Sequence, residues 1–221
     1  MIDQFEIFQS FNDAELARLI AEKIKENDIE FIIDKSKPLL DTSFIDTSIQ
    51  RHIHIKLQRK DFEKGHKALE DFYKTQLDNV DNDYYLFTFS NDELREIISK
   101  QDEWGYFDYQ LAQKILKDRG HEIEHDALNK IKENRIKELA QPEKASRLLI
   151  FFGYCFIPFG VIVGFLIGRH LFYNKRTLPN GQIAFFYRET DRKHGNRIMI
   201  VSGFIFLISL TLLFINFIIS N

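Results

Sequence analysis

The sequence predicts an α+β protein: a ferredoxin-like βαββαβ domain over residues 1–89, a helical connector over 90–147, and a two-helix transmembrane hairpin over 148–221. Three observations carry this prediction. Short runs in the first half alternate apolar and polar residues at the period of a half-buried strand. The segments between and after them repeat apolar residues at helical spacing. Near the end, 148–168 and 198–219 contain no Asp, Glu, Lys or Arg over 21 and 22 positions.

Taken in order, Phe5 and Ile7 alternate with polar neighbours, as do Ile29, Phe31 and Ile33, and then Ile53, Ile55 and Leu57. Between the first two runs, Asn12 followed by Glu15 resembles a capping box, and Leu16, Ile20 and Ile24 face a helix. After the third run, Phe62, His66, Leu69, Phe72 and Tyr73 recur at helical spacing, and the aromatic segment Tyr84 to Phe89 reads as a fourth strand. That order suits a ferredoxin-like sheet with both helices on one face. Beyond it, Ser90 and Glu93 form a capping box ahead of Leu94, Ile97 and Ile98. A second helix runs from about Asp108 to a stop at Gly120, and a third, highly charged one from about Glu122 to Leu139. This connector is expected either to cover the open sheet face or to mediate self-association.

The charge is unevenly placed. Of 221 residues with a net charge of −3, those through Arg147 hold 31 acidic against 23 basic side chains, and the remainder 2 against 7. An acidic soluble half argues against nucleic acid, whose phosphates require a positive surface. The single cysteine, Cys155, lies in an apolar run, so neither a disulfide nor a thiolate metal cluster forms within one chain. Met1 to Gln9 carries Asp3 and Glu6 and no basic residue, unlike an export signal, so the N-terminal domain is expected to stay in the cytoplasm.

At 1.5 Å per residue the two charge-free runs reach about 31 to 33 Å, enough for a hydrocarbon core of roughly 30 Å. Both read as membrane spans, making this an integral protein with the lipid bilayer as a partner. Pro158 predicts a kink in the first, and Gly160 and Gly164 form a small-xxx-small pair that allows a partner helix to approach closely. The basic residues then pose a conflict. The linker 169–197 carries seven of them against Glu189 and Asp191, and the stretch before the first run carries Lys130, Lys132, Arg135, Lys137, Lys144 and Arg147. Positive charge favours the cytoplasmic side, yet a two-span hairpin places these two stretches on opposite sides. A re-entrant first run around Pro158 would remove the conflict. Within the linker, Pro179-Asn180-Gly181 signals a turn between short strands, with Phe185, Phe186 and Tyr187 suited either to headgroup depth or to a solvated loop.

Candidate sites are few. His121-Glu122-Ile123-Glu124-His125 matches the zincin pattern, which needs both imidazoles one turn apart on a helix and the glutamate as general base. Gly120 before it, the charges at Glu124 and Asp126, and the lack of a third histidine following it within the soluble half favour a solvated helix start, so no metal or other cofactor is expected. His52 and His54 share a strand face and, with Lys56, suit an anion or a metal, though a solvent-facing strand is the commoner case. His66 fits a satisfied core histidine and Trp104 a packing anchor. The long connection Lys35 to Ile49 presents Leu39, Leu40, Phe44 and Ile45 among Asp, Ser and Thr, and is expected to close over a ligand or partner at the sheet edge, the alternative being a plain linker or a lid packed on its own core.

Phe5 to Phe8, Ala14-Glu15-Leu16-Ala17 and Asn27-Asp28-Ile29-Glu30-Phe31 resemble a bacterial family of signal-transducing domains of unknown function. The resemblance covers about residues 3 to 75 and implies a small regulatory or ligand-binding module without assigned catalytic residues. Lys175-Arg176-Thr177-Leu178-Pro179-Asn180-Gly181 is similar to the connector of paired-span, uncharacterised bacterial membrane proteins, which implies a bacterial inner membrane. Three function classes follow: a membrane-tethered regulatory binding module for a small molecule or protein partner, an oligomeric membrane scaffold, and a zinc peptidase.

Overall fold

Phe5–Phe11 (β1), Phe31–Lys35 (β2) and Ile53–Gln58 (β3) form an antiparallel sheet in the order β1-β3-β2. The structure, a computed structural model, describes residues 5–35, 53–81, 83–157 and 161–220. Helices Ala14–Glu26 (α1) and Phe62–Lys74 (α2) lie on one face of the sheet. Ile20, Ile24, Ile55, Leu57 and Leu69 are fully buried between the helices and the sheet. Because β1 and β2 both run antiparallel to the intervening β3, the first half of the sheet has the split βαβ arrangement.

Local chemistry shifts several elements from their predicted places. A bulge between Ile7 and Gln9 breaks the expected alternation, so Phe8 and Phe11 turn into the core while Ile7 remains 51% exposed. The cap of α1 is Asp13, whose carboxylate accepts from the Glu15 and Leu16 amides, in place of Asn12 one residue earlier. At its other end the Ile29 amide donates to the Ile24 carbonyl and that of Asp28 to Lys25, a Schellman closure with Ile29 and Ile24 both buried. Asp28 carries this closure at φ 55°, a left-handed conformation that costs an L residue about 1 kcal/mol. Asp28→Gly is therefore expected to raise stability by roughly 0.5–1 kcal/mol, read as a higher Tm of the full chain in detergent.

The expected fourth strand is absent: Tyr85–Thr88 is a 3-10 turn, and the sheet has three strands among the described residues. The competing interactions are specific. The Tyr84 and Tyr85 hydroxyls donate to the Asp108 carboxylate at 2.6 and 2.7 Å, and the Arg119 guanidinium donates to the Phe87 and Phe89 carbonyls, which a strand would give to its neighbour. The segment thus belongs to a second, helical core with Asn91–Ser99 (α3), Tyr106–Asp118 (α4) and His125–Leu139 (α5), centred on Leu86, Leu94, Ile97, Leu111 and Leu116. The Ser90–Glu93 capping box is present, and Trp104 packs on this core as an anchor, its ring edge-on to Phe89. α5 buries no residue completely. Lys132 bonds Glu70 at 2.6 Å, and Arg135 reaches Asp102, Glu103 and Glu138.

These helices do not cover the open sheet face. α4 packs against α2 through Tyr106, which stacks on Tyr73, while Ile7 and Ile32 stay exposed on the sheet's outer side. Residues 1–139 and 178–182 constitute one compact unit. The other comprises 140–177 and 183–221, with Arg147–Cys155 (α6), Val161–Tyr173 (α7), Lys175–Thr177 (β4), Ile183–Phe185 (β5) and Glu189–Ser220 (α8).

Candidate functional site

The second unit is built around α8, the one described helix long and apolar enough to cross a membrane by length and composition. Its 32 residues extend about 48 Å. From Phe206 to Ile219 every large apolar side chain on it is exposed apart from its own helix neighbours, an arrangement that water penalises and lipid does not.

Among the described residues the first charge-free run contains no helix of the length of a second span. It divides into α6, of 9 residues, and α7, of 13, which reaches only about 20 Å. A Cβ on Gly153 would lie 3.1 Å from Ile167, and one on Gly164 3.3 Å from both the Gly153 carbonyl and Ile157. In one straight helix Gly153 and Gly164 would stand about 16 Å apart. As residue number rises on α6, that of its neighbour on α7 falls, so the two helices are antiparallel and Arg147 and Tyr173 lie at the same end. Pro158 and Gly160 lie outside the described residues. Gly164 faces α8, where a Cβ on it would meet Ser202 at 2.9 Å.

α7 and α8 are also antiparallel and touch backbone to backbone. A Cβ on Gly168 would lie 2.7 Å from the Gly195 carbonyl, and one on Gly195 would lie 2.8 Å from the Gly168 carbonyl. The contacts at 168 and 195 and at 164 and 202 put the α6–α7 hairpin alongside the N-terminal half of α8 only.

The same end of all three helices is tied together by hydrogen bonds. The Asp191 carboxylate, buried in the first turn of α8, accepts from the Ala145 amide just ahead of α6 at 2.9 Å. The Glu143 amide donates to the Phe186 carbonyl, the Arg188 amide to that of Glu143, and Arg176 pairs with the Glu143 carboxylate at 2.8 Å. Hence the residues before the first apolar run and those of the linker form one cluster. β4 and β5 pair as the predicted hairpin, with Gly181 at φ 78° in the turn.

The candidates in the first unit fare differently. Leu39, Leu40, Phe44, Ile45 and His52 lie outside the described residues. His54 stands on the outer sheet face in hydrogen-bond contact with Ser10, next to the Lys56–Asp34 ion pair at 2.6 Å. The zincin pattern is not formed, because 121–124 are non-helical and α5 starts only at His125. The cause is the stop at Gly120, at φ 77°: its amide donates to Lys117 and that of His121 to Leu116, making His121 the last member of a Schellman closure. Among the described residues no group of three His, Cys, Asp or Glu side chains is placed to hold a metal.

His66 uses both ring nitrogens. Nε2 meets the Pro179 carbonyl at 2.5 Å, so it carries the proton, and Nδ1 accepts from the Tyr106 hydroxyl. Burial lowers the His66 pKa and raises that of Tyr106, which suits a neutral imidazole and a phenol donor. With the folded pKa below the unfolded value, the unfolded chain binds more protons below about pH 6.5, and stability falls as pH drops through that window. Comparison of thermal melts at pH 7.5 and 5.5 should show wild type losing more stability than His66→Gln, by at most about 1.4 kcal/mol per pH unit.

Set beside known proteins, the chain matches no family model, no curated protein and no solved structure.

Proposed function

We propose that this chain is a membrane-tethered regulatory or signal-transducing module, non-catalytic, whose N-terminal α+β unit binds a small molecule or a protein partner at the cytoplasmic face of a bacterial inner membrane. The observation that carries the tether is α8, bare and apolar through its distal half. The described part of α7 begins at Val161, near the level of Ile205 on α8 and some 10 Å past Ile198 where the charge-free stretch begins, which supports a hairpin that enters one leaflet without crossing. This arrangement leaves one span. On this reading Lys144 and Arg147 share a side with Lys175, Arg176, Arg188 and Arg192, as positive charge at the cytoplasmic surface favours.

The regulatory role is supported by the split βαβ sheet, by the resemblance of residues 3 to 75 to signal-transducing domains, and by the mixed apolar and polar composition of residues 35–49. Leu40→Ser with Phe44→Ser is expected to abolish capture of the partner or the ligand-induced rise in Tm of the full chain, with Tm in the absence of ligand unchanged. Undiminished binding by that variant would contradict the role given to the loop.

A further inference from the structure

We propose that Lys175 and Arg192, gathered on the ring of Phe185, form a binding site for the phosphate of an anionic phospholipid headgroup. The site lies wholly within the second unit and rests on the tether proposed above.

The geometry is that of two cations sharing one aromatic ring. The Arg192 guanidinium carbon lies 3.3 Å from the Phe185 ring centre, and the Lys175 ammonium 5.0 Å from the same point. Strand pairing fixes the first contact partner, since Lys175 stands directly opposite Phe185 across β4 and β5. Arg192 is fixed through Nε, which donates to the Phe172 carbonyl at 3.2 Å, and its guanidinium also lies over the Phe172 ring. Its two terminal nitrogens are left without a partner among the described residues, in the fork geometry that suits phosphate oxygens.

Among the described residues no carboxylate pairs directly with either cation, and Glu189, which feels the Arg192 charge, makes its ion pair with Lys193. The second unit has only Glu143, Glu189 and Asp191. Each is engaged elsewhere: Glu143 with Arg176 at 2.8 Å, Glu189 with Lys193 at 2.8 Å, and Asp191 with the Ala145 amide at 2.9 Å. Two like charges held on one half-exposed ring repel each other, and an anion bridging them relieves that repulsion.

Depth selects the kind of anion. Arg192 precedes Ile198 by six residues, about 9 Å along α8, which puts it in the headgroup layer just outside the hydrocarbon. Phosphate is the anionic group concentrated at that level, and Phe172, Tyr173 and Phe185 supply the aromatic surface favoured there. Exposed Arg169, Arg188 and Arg197 add a general attraction to the same surface, so a specific site must be separated from net charge.

The test uses the full chain in phosphatidylcholine nanodiscs doped with spin-labelled phosphatidylglycerol or spin-labelled phosphatidylcholine, reading the fraction of immobilised lipid. A preference of about tenfold for phosphatidylglycerol is expected, from two cations near the surface. Lys175→Gln with Arg192→Gln should bring it to within about twofold of none. Lys144→Gln with Arg188→Gln makes the same change in charge away from Phe185 and should retain most of the preference. Inorganic phosphate at millimolar concentration should leave it intact. Equal losses in the two double variants, no preference in wild type, or displacement by phosphate would overturn the site. Each of these outcomes is read on inserted protein, so the tether stands; a chain that fails to insert in either lipid contradicts the tether itself.

Discussion

Gly195→Leu is expected to separate α7 from α8 and to cost the second unit its folded packing. At this position a Cβ alone would come 2.7 Å from the Leu171 Cβ, 2.8 Å from the Gly168 carbonyl and 2.9 Å from the Phe172 amide. Two of these three neighbours are backbone atoms, which no rotamer change moves away. Overpacking of a close helix contact typically costs 1–3 kcal/mol, and the backbone character of this one puts the expectation at or above about 3 kcal/mol. The consequence extends to the ends of the helices: Asp191 would lose its alignment with the Ala145 amide and Arg192 its bond to the Phe172 carbonyl. The measurement is limited proteolysis of the membrane-inserted chain, with new cleavage expected at 141–147 and 174–188. Gly203→Leu on the same helix is the control, because a Cβ there meets nothing within 4 Å and wild-type protection should persist.

Leu57→Ala is expected to be the most damaging single truncation in the sheet domain. Leu57 is fully buried on the central strand, and its Cδ1 fills the notch left by Gly65, where a Cβ would stand 2.7 Å away. Phe8 closes the other side of the same notch. Nothing between α2 and the sheet is free to collapse into the vacated space, so the loss should fall in the middle to upper part of the 2–5 kcal/mol seen for Leu→Ala in cores, about 3–4 kcal/mol. Thermal melting of the full chain in detergent checks this. A fall in Tm as small as that of an exposed substitution such as Leu19→Ala would contradict the assignment of Leu57 to the core.

The central elements of the first unit are legible in the sequence because their signals are local. Ile53, Ile55 and Leu57 alternate over a fully one-sided strand, and Ser90 with Glu93 carries its own cap. Where the sequence misleads, a distant partner wins. Tyr84 to Phe89 has the composition of a strand, but Asp108 takes its hydroxyls and Arg119 its carbonyls, and neither contact has a periodic trace. The bulge at Phe8 is likewise set by pairing with β3.

The anchor shows the same division. Hydropathy finds both apolar stretches but not their different fates. Length alone makes 148–168 a span, while the approach of Gly153 to Ile167 and of Gly164 to the Gly153 carbonyl and Ile157 sets α6 against α7. The basic residues on both sides of that stretch carried the one legible warning against two spans. The clustering of Lys175, Phe185 and Arg192 was not legible, because it depends on the pairing of β4 with β5 and on the approach of α7 to α8.

Side-specific labelling of single cysteines tests the topology most directly. In a Cys155→Ser background, Lys144→Cys, Gln182→Cys and Ser220→Cys are each treated with a membrane-impermeant maleimide in intact cells and in inverted vesicles. One span with a hairpin confined to one leaflet predicts that 144 and 182 react together from the inverted side and 220 from the outside. Reaction of 182 from the outside, with 144 and 220 together on the inside, would establish two full crossings and contradict the account.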